Sequence, residues 1–256
     1  EQGTLKSTIA GSPTLAVFND QLYFAWADAA SSKIFYSPLT QQNTLTAISL
    51  DIPTSQPPTL SAVDQSLYIV YTDKTETESG FLYMGTIDTT NHVVINPLRL
   101  DGNYTSTQPY LASTGDDLVL AFKASTNESL YTYLNLLQER STTVASGNFT
   151  LNAPSVAALW QNVYLAWVDS TNVLNYGTID LNQPAALKID SLGKINGNTT
   201  TVAPTLATDE RHSQMYLAWV DGQNLIHIRT IYLLGEYSVP IHLNPTTDIL
   251  ENLFPV

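Results

Sequence analysis

The stretch "QLYFAWAD" at residues 21–28 decides the fold, because it returns almost unchanged as "NVYLAWVD" at 162–169 and "QMYLAWVD" at 214–221. Successive side chains of a strand point to opposite faces of its sheet. In each copy both sets of alternate residues are apolar, whereas a strand with one solvated face alternates apolar and polar residues. The sequence therefore predicts sheets that are covered on both faces, as in a ring of sheets packed face to face.

A second marker precedes each copy and gives the length of the repeat. It is a proline followed by small and apolar residues, as in "SPTLAVF" at 12–18. The marker occurs at Pro13, Pro58, Pro109, Pro154 and Pro204. By subtraction these prolines are 45, 51, 45 and 50 residues apart. Units of this length that hold four short strands are typical of propeller blades.

We therefore predict an all-β protein, a single five-bladed β-propeller with four-stranded antiparallel blades. Polar turns rich in Asn, Asp, Gln and Gly separate the strands of each unit. The predicted blades span 12–56, 57–107, 108–152, 153–202 and 203–250. We expect a terminal strand to close the ring, and either 236–243 or 4–10 could supply it.

The repeat also resembles a known family. The unit Pro-Thr-Leu-Ala, then Leu-Tyr-Leu-Ala-Trp-x-Asp, then Leu-x-Tyr is similar to the repeats of sugar-binding propellers of the tachylectin-2 kind. It also resembles the repeats of sialidase-like propellers, although the Asp-box of sialidases is absent. The resemblance covers about residues 12–235 and implies a pocket in each blade or between neighbouring blades. Repeated weak sites of this kind would capture glycans multivalently.

The candidate ligand-binding residues are an aromatic residue and an aspartate at the end of the second strand, and an aromatic residue in the third strand. A flat ring can cover the apolar face of a sugar, and a carboxylate can accept hydrogen bonds from its hydroxyls. The predicted second-strand residues are Trp26 with Asp28, Tyr71 with Asp73, Trp167 with Asp169, and Trp219 with Asp221. The predicted third-strand residues are Tyr36, Tyr83, Tyr131 or Tyr133, Tyr176 and His227.

A structural interpretation of the same residues stays open. The aromatic residues could fill the space between blades, and the aspartates could cap their loops as Asx-turns. The third unit departs from the pattern, because it has Phe122 and Lys123 and no aspartate at that point. We therefore expect ~3 competent sites rather than five, since a few polar contacts decide whether a pocket discriminates.

Composition limits the partners and the compartment. The chain has 10 Lys and Arg against 23 Asp and Glu, which disfavours nucleic acid and anionic membrane surfaces. No apolar run is long enough to cross a bilayer, and cysteine is absent. The polar start "EQGTLKST" is read as a mature end after processing. A secreted glycoprotein is expected from four N-glycosylation sequons, at Asn103, Asn127, Asn148 and Asn198.

Other functions are weighed against glycan binding. No metal or cofactor is predicted, because loops 169–172 and 221–224 lack enough oxygen ligands for calcium and the histidines lack metal-binding spacing. A propeller glycoside hydrolase is one alternative, although its carboxylate pair should break the repeat. The acids that break it lie in predicted turns, namely Asp64, Asp116, Asp117, Asp209 and Glu210. A protein-binding scaffold is the other alternative. The preferred ligands are neutral or N-acetylated sugars, without catalysis.

Overall fold

The fold is all-β throughout the part of the chain that the computed structural model describes. The described residues are 8–39, 46–74, 80–115, 117–125, 129–134, 142–160, 162–179, 189–200, 202–209 and 211–232. They form four antiparallel sheets of four strands and a fifth sheet of three. In every sheet consecutive strands pair in chain order, as expected for propeller blades. The predicted four-stranded antiparallel sheets are thus confirmed for the first four units.

The strand bounds follow the repeat. The first sheet consists of β1 (Ile9–Phe18), β2 (Gln21–Asp28), β3 (Lys33–Pro38) and β4 (Ile48–Pro53). The second sheet consists of β5 (Thr59–Val63), β6 (Ser66–Thr72), β7 (Phe81–Asp88) and β8 (Val93–Tyr104). The third sheet consists of β9 (Tyr110–Thr114), β10 (Asp117–Lys123), β11 (Ser129–Leu134) and β12 (Thr142–Phe149). The fourth sheet consists of β13 (Ser155–Leu159), β14 (Asn162–Val168), β15 (Val173–Ile179) and β16 (Ile189–Thr199). The fifth sheet consists of β17 (Thr205–Asp209), β18 (Gln214–Val220) and β19 (Ile226–Tyr232).

Each sheet has two different faces, and unlike faces of neighbouring sheets pack on each other. The indole face of a sheet is the one that carries Trp26, Tyr71, Phe122, Trp167 or Trp219. The alanine face is the opposite one, which carries Ala25, Val70, Ala121, Ala166 or Ala218. At each of four boundaries the alanine face of one sheet packs on the indole face of the next, as Ala166 does with Trp219. The predicted burial of both faces is therefore confirmed at these boundaries.

Side-chain hydroxyls explain the proline marker. The Oγ1 atom of Thr14 accepts from the backbone N–H of Leu60 in the next sheet at 3.2 Å. Thr59 accepts in the same way from Leu111 at 3.1 Å. The first strands of neighbouring sheets do not share a ladder, so an amide that faces the boundary needs a side-chain acceptor. At three of the four boundaries a Thr or Ser directly after the proline supplies that acceptor, since Ser155 also accepts from Leu206 at 3.0 Å, and we call this contact the hydroxyl staple. The third unit has Tyr110 at this position.

The two end faces of the five-sheet array are exposed. Leu15 on the indole face of the first sheet is 54% exposed, whereas its counterparts in the other sheets are at most 8% exposed. Ile226 on the alanine face of the fifth sheet is 67% exposed, whereas its counterparts are fully buried. The counterparts of Leu15 are Leu60, Leu111, Val156 and Leu206, and those of Ile226 are Ile34, Leu82, Leu130 and Leu174. Ring closure by five blades therefore remains a prediction.

The N-terminal segment is partly used in another way than expected. Ile9 and Ala10 belong to β1, where they pair with Asp28 and Ala27 of the same sheet. These two residues are therefore part of the first sheet and not of an outer strand of the fifth, whereas residues 4–7 of the suggested closing segment lie outside the described residues. The alternative closing segment, 236–243, lies outside the described residues.

Candidate functional site

The repeated tryptophans are buried, Trp167 and Trp219 inside sheet boundaries and Trp26 on the indole face of the first sheet. Trp26, Trp167 and Trp219 are 1%, 3% and 6% exposed, and the equivalent Tyr71 and Phe122 are also buried. In this arrangement a ligand does not reach the faces of these rings. The interpretation that the aromatics fill the space between blades fits their burial, because an indole covers a large apolar area.

A second aromatic ring covers the buried one in three sheets. The rings of Trp26 and Phe35 stack with centroids 6.0 Å apart and planes inclined by 18°. Tyr83 stacks on Tyr71 in the second sheet at 5.7 Å and 15°. In the fifth sheet the imidazole of His227 stacks on Trp219 at 5.3 Å and 12°. The three outer rings, Phe35, Tyr83 and His227, belong to the third strand and are only half-buried. In each stacked pair the outer ring is therefore the one that solvent reaches.

Strand register separates the predicted third-strand residues into two groups. Tyr83 and His227 lie directly opposite Tyr71 and Trp219. The backbone of Tyr131 likewise lies opposite Phe122, whereas Tyr133 lies two residues further along β11.

Two of the predicted tyrosines belong to the other face. Tyr36 and Tyr176 pair with Ala25 and Ala166, and both side chains are buried on the alanine face. Burial raises the pKa of Tyr36 to about 12, helped by the nearby Tyr23 and Asp88. These two tyrosines therefore stand apart from the half-exposed rings.

The sequence analysis missed the residues that take their place. Phe35 and Asn175 lie opposite Trp26 and Trp167. Asn175 follows Asp169 by six residues, as His227 follows Asp221, and was missed because only aromatic residues were aligned, whereas Phe35 follows Asp28 by seven residues and was concealed by the different loop length. The equal spacing from the aspartate in the fourth and fifth units could have found Asn175.

The aspartates organise the loops between the second and third strands. One oxygen of Asp169 accepts from the backbone N–H of Thr171 at 2.9 Å, from its hydroxyl at 2.6 Å and from the N–H of Val173 at 3.1 Å. The other oxygen accepts from the amide of Asn175 at 3.0 Å. Partial burial raises the pKa of Asp169, but the hydrogen bonds from Thr171, Asn175 and Val173 outweigh it and hold that pKa far below its usual range.

The fifth sheet repeats this arrangement with a histidine. One oxygen of Asp221 accepts from the N–H of Gln223 at 2.8 Å and of Leu225 at 3.0 Å. The other lies 2.7 Å from Nε2 of His227, and this hydrogen bond is the main reason that the pKa of Asp221 is lowered. In the first sheet Asp28 accepts from the N–H and hydroxyl of Ser31. The turn-capping interpretation of these aspartates therefore matches their hydrogen bonds.

The second sheet also brings the carboxylate close to its ring pair. Burial raises the pKa of Tyr71 to about 12, and the negative charge of Asp73 and the neighbouring Tyr83 add to the effect. Arg99 lies opposite Tyr83 in the sheet, and its guanidinium sits 3.9 Å from the ring centroid of Phe81. This sheet thus gathers aromatic, acidic and basic groups at one place.

The third unit differs in structure as well as in sequence. Lys123 takes the position that precedes the aspartate in other units, and its side chain is buried. Its Nζ donates to the backbone carbonyl of Leu151 at 2.8 Å, which joins the third sheet to the connection that leads into the fourth. The amine therefore contributes to a boundary contact.

Acids and histidines that could serve catalysis or metal binding are dispersed. Within the described ranges, no group of three or more His, Asp or Glu side chains could hold a metal ion. Asp209 lies 2.6 Å from the ring of His212, and His92 lies 2.6 Å from the hydroxyl of Tyr36. Asp64 occupies a left-handed turn position and Asp117 begins β10, whereas Asp116, Glu210 and His242 lie outside the described residues.

Three of the four predicted sequons share one place in the fold, near the end of a fourth strand. They are Asn103, Asn148 and Asn198. Each ends in a buried threonine, and the hydroxyl of Thr105 donates to the carbonyl of Thr107 at 3.0 Å. Thr54 makes the same contact to Gln56 without a sequon, so the connection between sheets needs this threonine in any case. Asn127 lies outside the described residues.

Comparison with solved structures places the chain among β-propellers. A mutant of Aleuria aurantia lectin in complex with Fucα1-6GlcNAc matches with a TM-score of 0.59 and 12% identity, covering 88% of this chain and 76% of the lectin. The GH43_1 enzyme from Xanthomonas citri complexed with xylose matches with a TM-score of 0.56 and 13% identity, covering 93% and 92%. At such identities the likeness shows the fold alone.

A third solved structure also matches the chain. Kuenenia stuttgartiensis hydrazine synthase matches with a TM-score of 0.57 and 12% identity, covering 86% of this chain and 64% of the synthase. No family model matches the sequence, and no curated protein does. Among the described residues, no helix is long and apolar enough to span a membrane.

Proposed function

We propose that this protein binds neutral or N-acetylated sugars at several equivalent places and does not catalyse a reaction. The observation that carries the proposal is a half-exposed aromatic ring in the third strand. This ring stacks on a buried ring of the second strand, and an aspartate lies at the end of that second strand. This combination recurs in three sheets, as Phe35 with Asp28, Tyr83 with Asp73 and His227 with Asp221. The proposal thus moves the ligand from the buried indoles to the outer rings.

The chemistry of a sugar suits such a surface. A pyranose has an apolar C–H face that packs on a flat ring, and its hydroxyl rim needs acceptors. The buried partner holds the outer ring flat, so little side-chain entropy is lost on binding. A carboxylate has about four acceptor positions, so the aspartates can support their loops and also accept a hydroxyl.

Three such surfaces agree with the expectation of ~3 competent sites. The third and fourth sheets each lack one of the two groups that the site needs, the aspartate or the outer aromatic ring. The third sheet has no aspartate, and in the fourth Asn175 replaces the ring. Several weak sites on one chain raise the avidity for a branched or surface-bound glycan, provided that two sites can engage at once.

A glycoside hydrolase is the second candidate, favoured by the high coverage of the GH43 structures. Such catalysis needs a pair of carboxyl groups roughly 5–9.5 Å apart. The first strands of the five sheets contain only one acid, Asp209, which is engaged by His212. The aspartates that recur instead hold loops together, so they do not supply such a pair.

We further propose that the five sheets form a closed ring. Thr205 holds the acceptor position of the hydroxyl staple in the fifth sheet, and Leu15 holds the donor position in the first. Both end faces carry the apolar residues that are buried at the four internal boundaries. Packing these faces together would complete a fifth boundary of the same kind.

Secretion and glycosylation remain part of the proposal. The sequons at Asn103, Asn127, Asn148 and Asn198 and the acidic charge support an extracellular setting. Mass spectrometry of the protein expressed in a eukaryotic host, before and after treatment with an N-glycosidase, tests it. A mass shift supports glycan attachment, and an unchanged mass contradicts it.

The binding proposal is tested on a glycan array and with a named panel of free sugars: α-methyl-L-fucoside, Fucα1-6GlcNAc, xylotriose and chitotriose. Tyr83→Ala should weaken binding, because it removes an outer ring. Phe149→Ala is the matched control, since it removes an exposed aromatic from the sheet that lacks the aspartate. A blank array combined with cleavage of xylotriose would favour the hydrolase instead.

A further inference from the structure

One turn of the repeat holds an aromatic residue where the others hold turn residues. The connections between first and second strands use a left-handed residue at Asn19, Asp64 and Gly115, with φ of 49°, 51° and 54°. Asn, Asp and Gly tolerate this conformation because of their small or locally bonding side chains. In the fourth sheet the same position is Trp160, with φ of 54°. For a bulky residue this is a strained backbone.

The strained residue is also the exposed tryptophan of the chain. Trp160 is 50% exposed, whereas the other three tryptophans of the sequence are at most 6% exposed. A hairpin turn lies at the end of the sheet opposite to the loop between the second and third strands. Trp160 is therefore on the rim opposite to the aspartate loops. Asn or Gly in place of Trp160 would relieve this backbone strain. Strained backbone positions of this kind cluster at functional sites.

We propose that Trp160 is a ligand-stacking residue that forms a second, separate sugar site on this rim. The inference rests on the proposed carbohydrate binding but uses none of the residues that carry it. Half of the Trp160 surface is exposed, so part of its ring is accessible to a flat apolar surface. The exposed Asn162, which begins β14, adds an amide that can donate to and accept from hydroxyls.

The hairpin that carries Trp160 has few charges of its own. From Ala153 to Val173 the sequence has no Lys or Arg, and its one acid is Asp169, at the other end of β14. The neighbouring turn of the fifth sheet, whose Thr208 donates to the carbonyl of Ala158 at 2.7 Å, adds Asp209, Arg211 and His212 to the same rim, and Asp209 and His212 are paired. Phosphate-bearing ligands and anionic lipid surfaces need basic groups to compensate their charge. A saccharide needs only a flat ring and a few hydrogen-bonding groups, which this turn supplies.

Tryptophan fluorescence tests the assignment directly. Because the other three indoles are buried, quenching by acrylamide reports mainly on Trp160. Each sugar of the panel, α-methyl-L-fucoside, Fucα1-6GlcNAc, xylotriose and chitotriose, is titrated while quenching and heat are measured. We expect at least one sugar to protect the fluorescence from quenching.

Two variants separate binding from structure. Trp160→Asn relieves the strain, so its melting temperature should rise by about 2–4 °C. Because this variant also removes the fluorescent reporter, its sugar binding is measured by calorimetry. Calorimetry should show this site weakened by about tenfold or more, equivalent to about 1.4 kcal/mol. Trp160→Phe retains a flat ring and should retain measurable binding at this site.

The outcomes distinguish this inference from the proposed function. If sugars bind by calorimetry but leave the quenching of Trp160 unchanged, the second site is contradicted and the binding proposal stands. If Trp160→Asn folds and binds as the wild type does, the second site is also contradicted. If no sugar of the panel or array binds at all, both proposals fail.

Discussion

The hydroxyl of Thr59 accepts the backbone N–H of Leu111 at 3.1 Å, across the boundary between two sheets. Both residues are buried, so water cannot replace this bond. Thr59→Val would leave the Leu111 amide unsatisfied at nearly unchanged volume, and we expect a loss of about 1–3 kcal/mol in unfolding free energy. Urea denaturation measures it, with Thr59→Ser as the matched control that keeps the acceptor. Equal stability of the valine and serine variants would contradict the staple.

The aspartate loops predict how stability depends on pH. The folded pKa of Asp169 lies below its unfolded value, so its contribution is complete above about pH 4 and is lost as the pH falls through the folded pKa. Asp51, Asp88, Asp209 and Asp221 are shifted in the same direction. We expect a plateau of stability above about pH 5 and a decline below it.

The variant Asp169→Asn isolates the contribution of one loop. It should be less stable than the wild type at pH 7, and the difference should shrink as the pH falls from about 4 to 3, because the carboxyl of the unfolded wild-type chain then takes up a proton while the folded one stays ionised. Chemical denaturation at each pH gives the comparison. A difference that stays constant from pH 7 to pH 3 would show that the charge of Asp169 is irrelevant.

His227 and Asn175 occupy the same position in two sheets, and each is hydrogen-bonded by the aspartate six residues earlier. His227→Asn should therefore keep the loop contact and the stability while removing a stacking ring and one ligand site. His227→Ala should lose both the contact and the ring. Urea denaturation and titration calorimetry separate the two effects. If His227→Asn retains the full number of sites, the outer ring is not the ligand surface.

Closure of the ring can be tested because the chain has no cysteine. A double variant with Leu15→Cys and Thr205→Cys should react with a short thiol crosslinker within one chain, since closure brings these residues to staple distance. Thr14→Cys with Leu60→Cys is the positive control, because those residues are in contact already. Crosslinks between chains, or none, would contradict closure by the chain's own end faces.

Much of the sheet architecture could be predicted from the repeat. Alternating apolar residues such as Phe24 and Ala25 required two covered faces, and the proline markers set the unit length. The roles of the site residues were harder to predict, because burial decides whether a tryptophan such as Trp26 is a ligand surface or a packing residue. Burial depends on the neighbouring sheet, which lies ~45–50 residues away in the sequence.

Register was the second limit. A shift of one residue moves a side chain to the opposite face of its sheet, so aligning tyrosines placed Tyr36 and Tyr176 with Tyr83 although they lie on the other face. Trp160 was concealed for a different reason. The sign of φ that makes a tryptophan unusual in this turn is visible only in three dimensions.

The most direct test of the central claim is the number of sugar molecules bound at the aspartate rim. Calorimetry with the tightest sugar of the panel, on a Trp160→Asn background, should give ~3 sites per chain, falling by one in Tyr83→Ala and unchanged in Phe149→Ala. A stoichiometry that Tyr83→Ala leaves intact, or the absence of any binding by a folded protein, would contradict the account.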